Sequence, residues 1–337
     1  MEATGYNWVP DGAHACAALV KKIYAGHPAY AEALAAETLR QLAPQNPFLA
    51  FGSRQGFLAA GAGGPEAHAC AIIDKRLPGV GLIGYFEAAG GEAAAAVLDA
   101  ACAHLAELGL KKIFGPVNDT VWQRYGAASG NAEPFYGEPY TPAAYAGYFG
   151  AAGFTARDRR VSAVLPAEEL PFAAFSGREQ DLLGKGYTFE ELAPAELPAR
   201  AREIHALAGE VFSGSPLFVP ASYEEFLYSA GAQAGAAGAH FILAGCGGRP
   251  AAFLWGLPDA CSGGENFIFK TIAVLPQHRR SGLGGALFCR MQARVRERGF
   301  KRCFFSTMRA GNAGIAALTG KKAGQHREYL TFGKEAA

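Results

Sequence analysis

The sequence predicts an α/β protein made of two similar domains in tandem. Its 337 residues exceed one ordinary core and suit two domains of about 150 residues each. The segment 107–114 (ELGLKKIF) closely matches 297–304 (ERGFKRCF), at a constant offset of 190 residues. In each half it follows a strand-like run, a glycine-containing loop and a helical stripe, and a helix between two strands is the usual parallel crossover. Because the matched string is more specific than periodicity requires, we interpret it as duplication of one α/β unit.

The repeated unit consists of a predicted strand, a helix and a second strand. The first strands are predicted over residues 80–86 and 267–275, where the sequence is mainly apolar. Gly109 and Gly299 follow the two helices, at a place where a left-handed residue commonly ends a helix. The helices are marked by apolar residues at helical spacing: Val97, Ala101, Leu105 and Leu108 in the first unit, and Leu283, Leu287, Met291 and Val295 in the second.

A segment without periodicity separates the two units. Residues 165–186 contain two prolines and several glycines, a composition typical of a linker. We therefore predict a first domain over residues 1–165, a linker over 166–186 and a second domain over 187–337. In the second domain we predict, in order, a strand at 187–192, helices at 198–212 and 222–229, strands at 241–245, 251–256 and 266–274, a helix at 283–298, a strand at 301–307, a helix at 312–322 and a strand at 327–332.

The charge balance favours small ligands over nucleic acid or membrane. Hydrophobic residues make up 50% of the chain, charged residues 18%, and the formal net charge is +1. Such a balance gives no electrostatic basis for a nucleic acid or an anionic membrane as the main partner. Four arginines, which surround the apolar stripe of one predicted helix, are interpreted as its solvated face rather than an RNA-binding ridge; they are Arg290, Arg294, Arg296 and Arg298.

Cysteine and histidine usage gives no metal signature. The seven cysteines are scattered, and none of the eight histidines pairs with Cys, Asp or Glu at metal-ligand spacing. We therefore expect no metal site and a reducing compartment. The first residues show no basic segment leading into an apolar one, and no apolar run reaches the roughly 20 residues of a membrane span. We expect a cytoplasmic protein, and no sequence feature indicates its oligomeric state.

Glycines cluster where an apolar strand gives way to an amphipathic helix, in FIFKTIAVLPQHRRSGLGGAL. Gly282, Gly284 and Gly285 permit a tight turn, and the free N–H groups of the helix N-terminus attract an anion such as phosphate. Arg279 and Arg280 add positive charge. A Walker loop would end in Gly-Lys-Ser/Thr and a Rossmann loop would read Gly-x-Gly-x-x-Gly, and neither pattern fits here. A different phosphate loop and a tight turn without a ligand remain as interpretations.

The segment KTIAVLPQHRRSGLGGAL resembles the acetyl-CoA motif of the GCN5-related N-acetyltransferases (GNAT), in which R/Q-x-x-G-x-G/A follows a strand ending in Val-x-Pro. Asn312, Leu318, Lys321 and Gly324 resemble a later helix motif of that family, so the resemblance covers most of 187–337. In the first half, GPVNDTVWQRY and PFYGEPYTPAAYAGYFGAAGF resemble the N-terminal half of bacterial proteins with two such domains. The resemblance implies tandem GNAT-like domains, each a mixed, mostly antiparallel central sheet flanked by helices.

The resemblance also implies which residues bind the co-substrate, acetyl-CoA. Backbone groups of 272–274 would pair with the pantetheine arm like an added strand, and N–H groups of 281–285 would hold the diphosphate. The first domain would lack this loop, because the 190-residue offset places residues 89–94 (AGGEAA) opposite it. The implied acetyl-CoA-binding residues are Ile272, Ala273, Val274, Arg279, Arg280, Ser281, Gly282, Leu283, Gly284, Gly285 and Asn312.

The implied reaction is transfer of an acetyl group from acetyl-CoA to a primary amine. The acceptor is a small molecule or a peptide, and polyamines, amino acids, aminoglycosides and peptides stay open. Transfer of another acyl or aminoacyl group is the alternative enzymatic function. A non-catalytic acyl-CoA sensor is the alternative outside enzymes.

The catalytic residues are less clearly indicated than the loop. The tyrosine by which the family protonates the leaving thiolate falls at Thr319 here, and an alcohol is far too weak an acid for that step. We consider Tyr329 as a replacement acid, against ordinary strand packing, and Glu265 as the base, against a solvated turn residue. Lys270, inside an apolar strand, would either contact a substrate carboxylate or lie on the surface with its stem along the sheet.

Overall fold

The computed structural model describes residues 1–6, 10–130, 132–175 and 177–335. The helices are α1 Pro10–Ile23, α2 Pro28–Leu42, α3 Gly91–Glu107, α4 Ala144–Ala151, α5 Arg178–Leu183, α6 Leu197–Phe212, α7 Tyr223–Ala234, α8 Leu283–Glu297 and α9 Ala313–Leu318. The strands are β1 Ala3–Tyr6, β2 Gly52–Gly61, β3 Gly64–Asp74, β4 Val80–Ala88, β5 Lys112–Gly115, β6 Ala127–Ala128, β7 Thr155–Pro166, β8 Tyr187–Leu192, β9 His240–Cys246, β10 Arg249–Pro258, β11 Asn266–Val274, β12 Arg302–Arg309 and β13 Gly324–Glu335. Most predicted elements of the second half are therefore confirmed to within a few residues, although α9 is shorter than predicted and β13 longer.

The chain forms two compact units. The first contains Met1–Arg159, Pro216–Val219 and Glu328–Ala337, and the second contains Arg160–Ser215 and Pro220–Arg327. The repeated segments fall in different units, as the duplication predicts. The unit boundaries differ from the predicted domain boundaries at two strands. Residues 160–165 of β7 belong to the second unit and residues 328–335 of β13 to the first, whereas the predicted boundaries placed them the other way round.

The first unit contains a mixed sheet in the order β1-β2-β3-β4-β5-β13. Its pairs are antiparallel except β4 with β5, which run parallel. Successive residues of a strand face opposite sides of a sheet. Accordingly, Ala69 and Ala71 of β3 lie in the core that contains α3, whereas Cys70 and Ile72 lie in the core that contains residues of α1 and α2.

The second unit contains a mixed sheet in the order β7-β12-β11-β10-β9-β8. Its pairs are antiparallel except β11 with β12, which run parallel. Helix α8 buries Leu283, Leu287, Met291 and Val295, the predicted stripe, in the core of this unit. Both units therefore have the predicted mixed, mostly antiparallel sheet with flanking helices.

Each sheet is completed by a strand from a distant part of the sequence. The last residues of β13 pair with β5, from Phe332 opposite Gly115 to Glu335 opposite Lys112. Residues 160–166 of β7 pair with β12, from Arg160 opposite Arg309 to Pro166 opposite Arg302. An alternating strand pattern carries no information about which sheet the strand joins, so the sequence did not predict this exchange.

The segment 166–186, predicted as a linker, is part of the second unit. Ala167, Leu170, Phe175 and Leu182 are buried in the same core as α8, and residues 178–183 form α5. Of the prolines and glycines that indicated a linker, Pro166 ends β7, and the others lie in or beside the short turns and helix of this segment. The apolar residues between them recur without a helical or strand period, because two 3-10 turns and one short helix share 22 residues (165–186).

A buried carboxylate lies in a polar cluster of the first unit. Glu87 on β4 accepts hydrogen bonds from the hydroxyls of Tyr24 (2.9 Å) and Tyr145 (2.8 Å). Half-buried Arg124 donates to the Tyr30 hydroxyl and to the Tyr140 carbonyl, both at 2.9 Å. Burial raises the pKa of Glu87 from 4.5 to about 7, since the opposing effects of Arg124 and the two hydroxyls are smaller.

This pKa predicts how Glu87 makes stability depend on pH. A carboxyl whose pKa is higher in the folded than in the unfolded state favours folding at low pH, and that stabilisation is lost as pH rises from about 4.5 through about 7. Replacement by glutamine removes the titration and keeps the side-chain shape. From pH 5 to pH 8, the free energy of unfolding measured with denaturant should therefore fall by roughly 3 kcal/mol more in wild type than in Glu87→Gln. Equal losses in the two proteins would contradict the assignment.

Two negative observations concern the described part of the chain. No helix there is long and apolar enough to cross a membrane. Among the same residues, no three His, Cys, Asp or Glu side chains are grouped so that they could hold a metal ion.

Candidate functional site

The glycine-rich segment connects β11 to α8, as predicted. Residues 275–282 lie between Val274, the end of β11, and Leu283, the start of α8, and include a 3-10 turn at Pro276–His278. Gly282 adopts a left-handed φ of 92°, which favours glycine, and precedes the first helical residue. Ser281 fixes the turn: its hydroxyl donates to the His278 carbonyl (2.8 Å) and accepts from the Leu283 N–H (3.2 Å).

Helix α8 directs unpaired N–H groups out of its N-terminus. Gly284 and Gly285 lie in its first turn, where N–H groups have no intrahelical acceptor. The Leu283 N–H is already bonded to Ser281, so it is not free for a ligand, although the sequence placed it in the diphosphate-binding set. The Arg279 guanidinium donates from Nε to the Val274 carbonyl (3.2 Å), which holds its positive charge beside the end of β11. This end of α8 is suited to an anion.

Tyr187 is a residue of this loop region that the sequence analysis missed. Its hydroxyl lies 2.9 Å from Nδ1 of His278, and the two rings make an edge contact with centroids 5.6 Å apart. Tyr187 is the first residue of β8, about 90 positions before the loop. No local pattern relates the two positions, because the contact joins segments that are far apart in the sequence.

The parallel strands β11 and β12 diverge toward the loop. Their pairing runs from Asn266 opposite Arg302 to Phe269 opposite Phe305 and does not continue beyond. On its other edge, β11 continues to pair with β10 as far as Val274, with one extra residue, Lys270, between Phe269 and Thr271. This β-bulge lies where the two parallel strands separate. The result is an opening between β11 and β12, with the glycine loop at the end of β11.

Alternation along β11 decides which backbone groups face the opening. The Leu275 N–H donates to the Ala251 carbonyl at 3.0 Å, so Leu275 and Ala251 are a hydrogen-bonded pair. Such pairs alternate with non-hydrogen-bonded pairs in an antiparallel ladder, so the N–H and C=O groups of Val274 point away from its partner Ala252 on β10. Ile272, two residues earlier, has the same orientation, so both residues direct their backbone groups toward the opening, and the Val274 carbonyl also accepts from Arg279. Ala273 instead pairs with Phe253 of β10. Of the three predicted arm-binding residues, Ile272 and Val274 are therefore oriented for that role and Ala273 is not.

Asn312 and Thr319 lie at the two ends of α9. Asn312 is its N-cap, and the side-chain oxygen accepts from the Gly314 N–H at 2.9 Å, which leaves the amide NH₂ group for a ligand. Thr319 is 1% exposed, and its hydroxyl donates to the Ile315 carbonyl at 3.0 Å. A buried hydroxyl engaged in this way supports the inference that Thr319 does not replace the usual tyrosine.

The structure does not favour either proposed catalytic residue. Glu265 is exposed and forms an ion pair with Lys301 (2.7 Å), at the end of β11 opposite the loop, roughly 30 Å along a nine-residue strand. Tyr329 belongs to the first unit, where it is fully buried and its hydroxyl donates to Glu138. The alternatives given in the sequence analysis, a solvated turn residue for Glu265 and ordinary strand packing for Tyr329, describe these two positions better.

Two arginines of α8 form ion pairs. Arg290 binds Glu179 and Glu191, and Arg294 binds Glu191 (2.8 Å) and Glu297 (2.9 Å). Hydrogen bonds from the Arg294 guanidinium are among the causes that lower the pKa of Glu191, although its partial burial opposes them. These contacts join α8 to α5 and β8 and agree with the interpretation as a solvated helix face.

The first unit has no loop at the equivalent place. Its parallel strand β4 ends at Ala88 and its helix α3 begins at Gly91, so two residues replace the eight of the second unit. The offset of 190 had placed residues 89–94 opposite the loop, and the structure corrects this: the loop is absent rather than altered. Glu92, in the first turn of α3, forms an ion pair with the N-terminus (2.7 Å), at the position where it complements the helix dipole.

Beyond its pairing with β5, strand β4 donates backbone hydrogen bonds to side chains of the first unit. The parallel ladder ends at Leu82 opposite Phe114. Beyond it, the Tyr85 N–H donates to the Asn118 side-chain oxygen (2.7 Å) and the Ala88 N–H donates to the Tyr145 hydroxyl (2.8 Å). Two N–H donors of β4 beyond its pairing with β5 are thus engaged within the unit itself.

Comparison with known proteins agrees with this geometry. Residues 203–324 match the family model described as "Acetyltransferase (GNAT) family". No curated protein sequence matches the chain significantly. A solved tandem GNAT protein from the clavulanic acid biosynthesis pathway superposes with a TM-score of 0.63 at 13% identity, covering 100% of this chain and 98% of that one.

Two further solved structures share the fold. A GCN5-related N-acetyltransferase from Sphaerobacter thermophilus gives a TM-score of 0.57 at 13% identity, with 99% of this chain and 96% of that chain covered. A GCN5-related N-acetyltransferase from Anabaena variabilis gives 0.62 at 8% identity, with 100% and 73% covered. The family match covers residues 203–324, in the second half of the chain, and the superpositions show that the whole chain shares the fold of these GNAT structures.

Proposed function

We propose that this protein transfers an acetyl group from acetyl-CoA to a primary amine, and that the second unit binds the acetyl-CoA. The observation that carries the proposal is the continuity of the opening with the loop. Backbone groups of Ile272 and Val274 face the opening, and the strand that bears them leads to the N-terminus of α8. A linear ligand with an anionic end and an amide-containing arm fits such a site.

The roles of the residues follow from the chemistry of the thioester. Gly284 and Gly285 N–H groups, with Arg279 and Arg280, would bind the diphosphate. Ile272 and Val274 would fix the pantetheine arm and thereby the position of the thioester. Holding both reactants in one complex supplies much of the rate, and N–H groups at the opening would polarise the thioester carbonyl.

The bond changes balance without a covalent enzyme intermediate. The neutral amine attacks the thioester carbonyl carbon, the C–N bond forms, and the C–S bond breaks as the thiolate leaves. The amine nitrogen loses one proton to water, and the thiolate takes one up either in the site or from water after release. Because Thr319 is buried and donates to a backbone carbonyl, the thiolate would be protonated by another hydroxyl or by water, or would leave unprotonated.

The test is release of free coenzyme A thiol by the full chain, with acetyl-CoA and a panel of amines: a polyamine, an amino acid, an aminoglycoside and a short peptide. Thiol release that needs one of these amines is the expected result. Release with a longer acyl or aminoacyl thioester instead of acetyl-CoA would replace the proposal by the alternative transferase. Tight binding of acetyl-CoA without amine-dependent release of thiol from any donor would favour a sensor.

A further inference from the structure

Arg178 lies beside the glycine loop, although its segment was predicted to be a linker. It is the first residue of α5, in the second unit. A Cβ atom placed on Gly282 would lie 3.3 Å from Nη1 of Arg178. The guanidinium is therefore next to the residue that precedes the first turn of α8.

Phe175 helps to hold Arg178 in that position. The guanidinium carbon lies over the Phe175 ring, 5.5 Å from its centroid. The same ring packs so closely on Gly285 that a Cβ there would lie 2.6 Å from the ring atom Cδ1, and it makes an edge contact with Phe288 of α8. Arg178 thus makes a cation–π contact with the Phe175 ring, which itself packs on α8.

The charges around Arg178 leave it available for an anion. Within the described residues, Arg178 forms no ion pair, whereas its neighbour Glu179 is paired with Arg290. Arg178, Arg279 and Arg280 therefore gather positive charge at the positive end of the α8 dipole. A planar guanidinium matches the geometry of phosphate oxygens and can donate two parallel hydrogen bonds to them.

We propose that Arg178 is an additional diphosphate-binding residue of the acyl-CoA site, contributed by α5 and not by the glycine loop. The inference rests on the proposed function, because it needs the diphosphate of acyl-CoA at the N-terminus of α8. Its consequence is that the segment 166–186 takes part in ligand binding and does more than connect elements.

Calorimetric titration of the full chain with coenzyme A and with 3′-dephospho-coenzyme A tests this role. Arg178→Ala should weaken binding of both ligands about tenfold, the loss expected for one charge-assisted contact. Arg178→Lys should lose less, because it keeps the charge without the planar fork. Arg202→Ala is the matched control. Arg202 is an exposed residue of the same unit that lies on α6, away from the glycine loop, and its guanidinium carbon is 4.1 Å from the centroid of the Tyr223 ring.

Three outcomes separate the possibilities once thermal unfolding shows that the variants are folded. Equal weakening for both ligands, with Arg202→Ala unchanged, supports the proposal. Weakening for coenzyme A alone would assign Arg178 to the 3′-phosphate and overturn it, and so would an Arg178→Ala protein that binds like Arg202→Ala. If Gly284→Glu destroys binding in that last case, the proposed function stands and the role of Arg178 fails; if wild type binds neither ligand, both fail.

Discussion

Replacing Gly284 by glutamate should abolish acetyl-CoA binding while the protein stays folded. A Cβ on Gly284 would lie 3.8 Å from Cγ2 of Val274 and 3.9 Å from Cδ1 of Ile272, which are ordinary contacts. The new carboxylate would compete for the N–H groups of the first turn of α8 and repel the diphosphate. Loss of two charge-assisted hydrogen bonds, at roughly 1.5 kcal/mol or more each, corresponds to binding at least about 100-fold weaker.

Gly284 tests the site more cleanly than Gly282. A glutamate at 282 would have to adopt a left-handed φ of 92° and would meet Arg178, so weaker binding would also reflect backbone strain. The matched control is Gly90→Glu in the first unit, where φ is −160° and a Cβ meets nothing within 4 Å. Gly90→Glu should bind acetyl-CoA like wild type. A folded Gly284→Glu protein with unchanged affinity in calorimetry would show that the loop does not hold the ligand.

The fold could be predicted where the pattern is local. Apolar periodicity located β11, α8 and most other elements of the second half, because burial of one face requires that spacing. The exchange of β7 and β13 between the units could not be predicted in this way. A strand has the same alternation whichever sheet it joins, and the partners of β13 lie more than 200 residues earlier on β5.

The same distinction between local patterns and long-range packing applies to the candidate site. The string from Arg279 to Gly285 carries its own chemistry, so residues in sequence order were enough to predict an anion site there. Arg178 and Tyr187 reach the loop through packing of α5 and β8, about 90 to 100 positions earlier in the chain. Glu265 was selected for its place just before the predicted strand 266–274 and Tyr329 as a possible replacement acid, and both already have partners, in Lys301 and Glu138.

The second large effect is in stoichiometry: the protein should bind one acetyl-CoA per chain although it contains two copies of the fold. Both copies have a parallel strand pair followed by a helix. In the first copy two residues connect β4 to α3, compared with eight between β11 and α8, so there is no loop to surround a diphosphate. The N-terminal end of α3 already holds Glu92, whose carboxylate complements the helix dipole and is paired with the N-terminal amine.

Two backbone N–H groups of β4 beyond its pairing with β5 are occupied as well. Tyr85 and Ala88 donate their N–H groups to Asn118 and to the Tyr145 hydroxyl, which in turn bonds to buried Glu87. A pantetheine arm would have to displace these side chains, and moving the Tyr145 hydroxyl would leave Tyr24 as the remaining donor to buried Glu87, at a cost of about 1–3 kcal/mol for each unmade bond. Calorimetric titration of the full chain should therefore give a stoichiometry near one, and Gly284→Glu should reduce it to none. Two sites per chain, or one site that survives in Gly284→Glu, would show that the first unit binds acetyl-CoA.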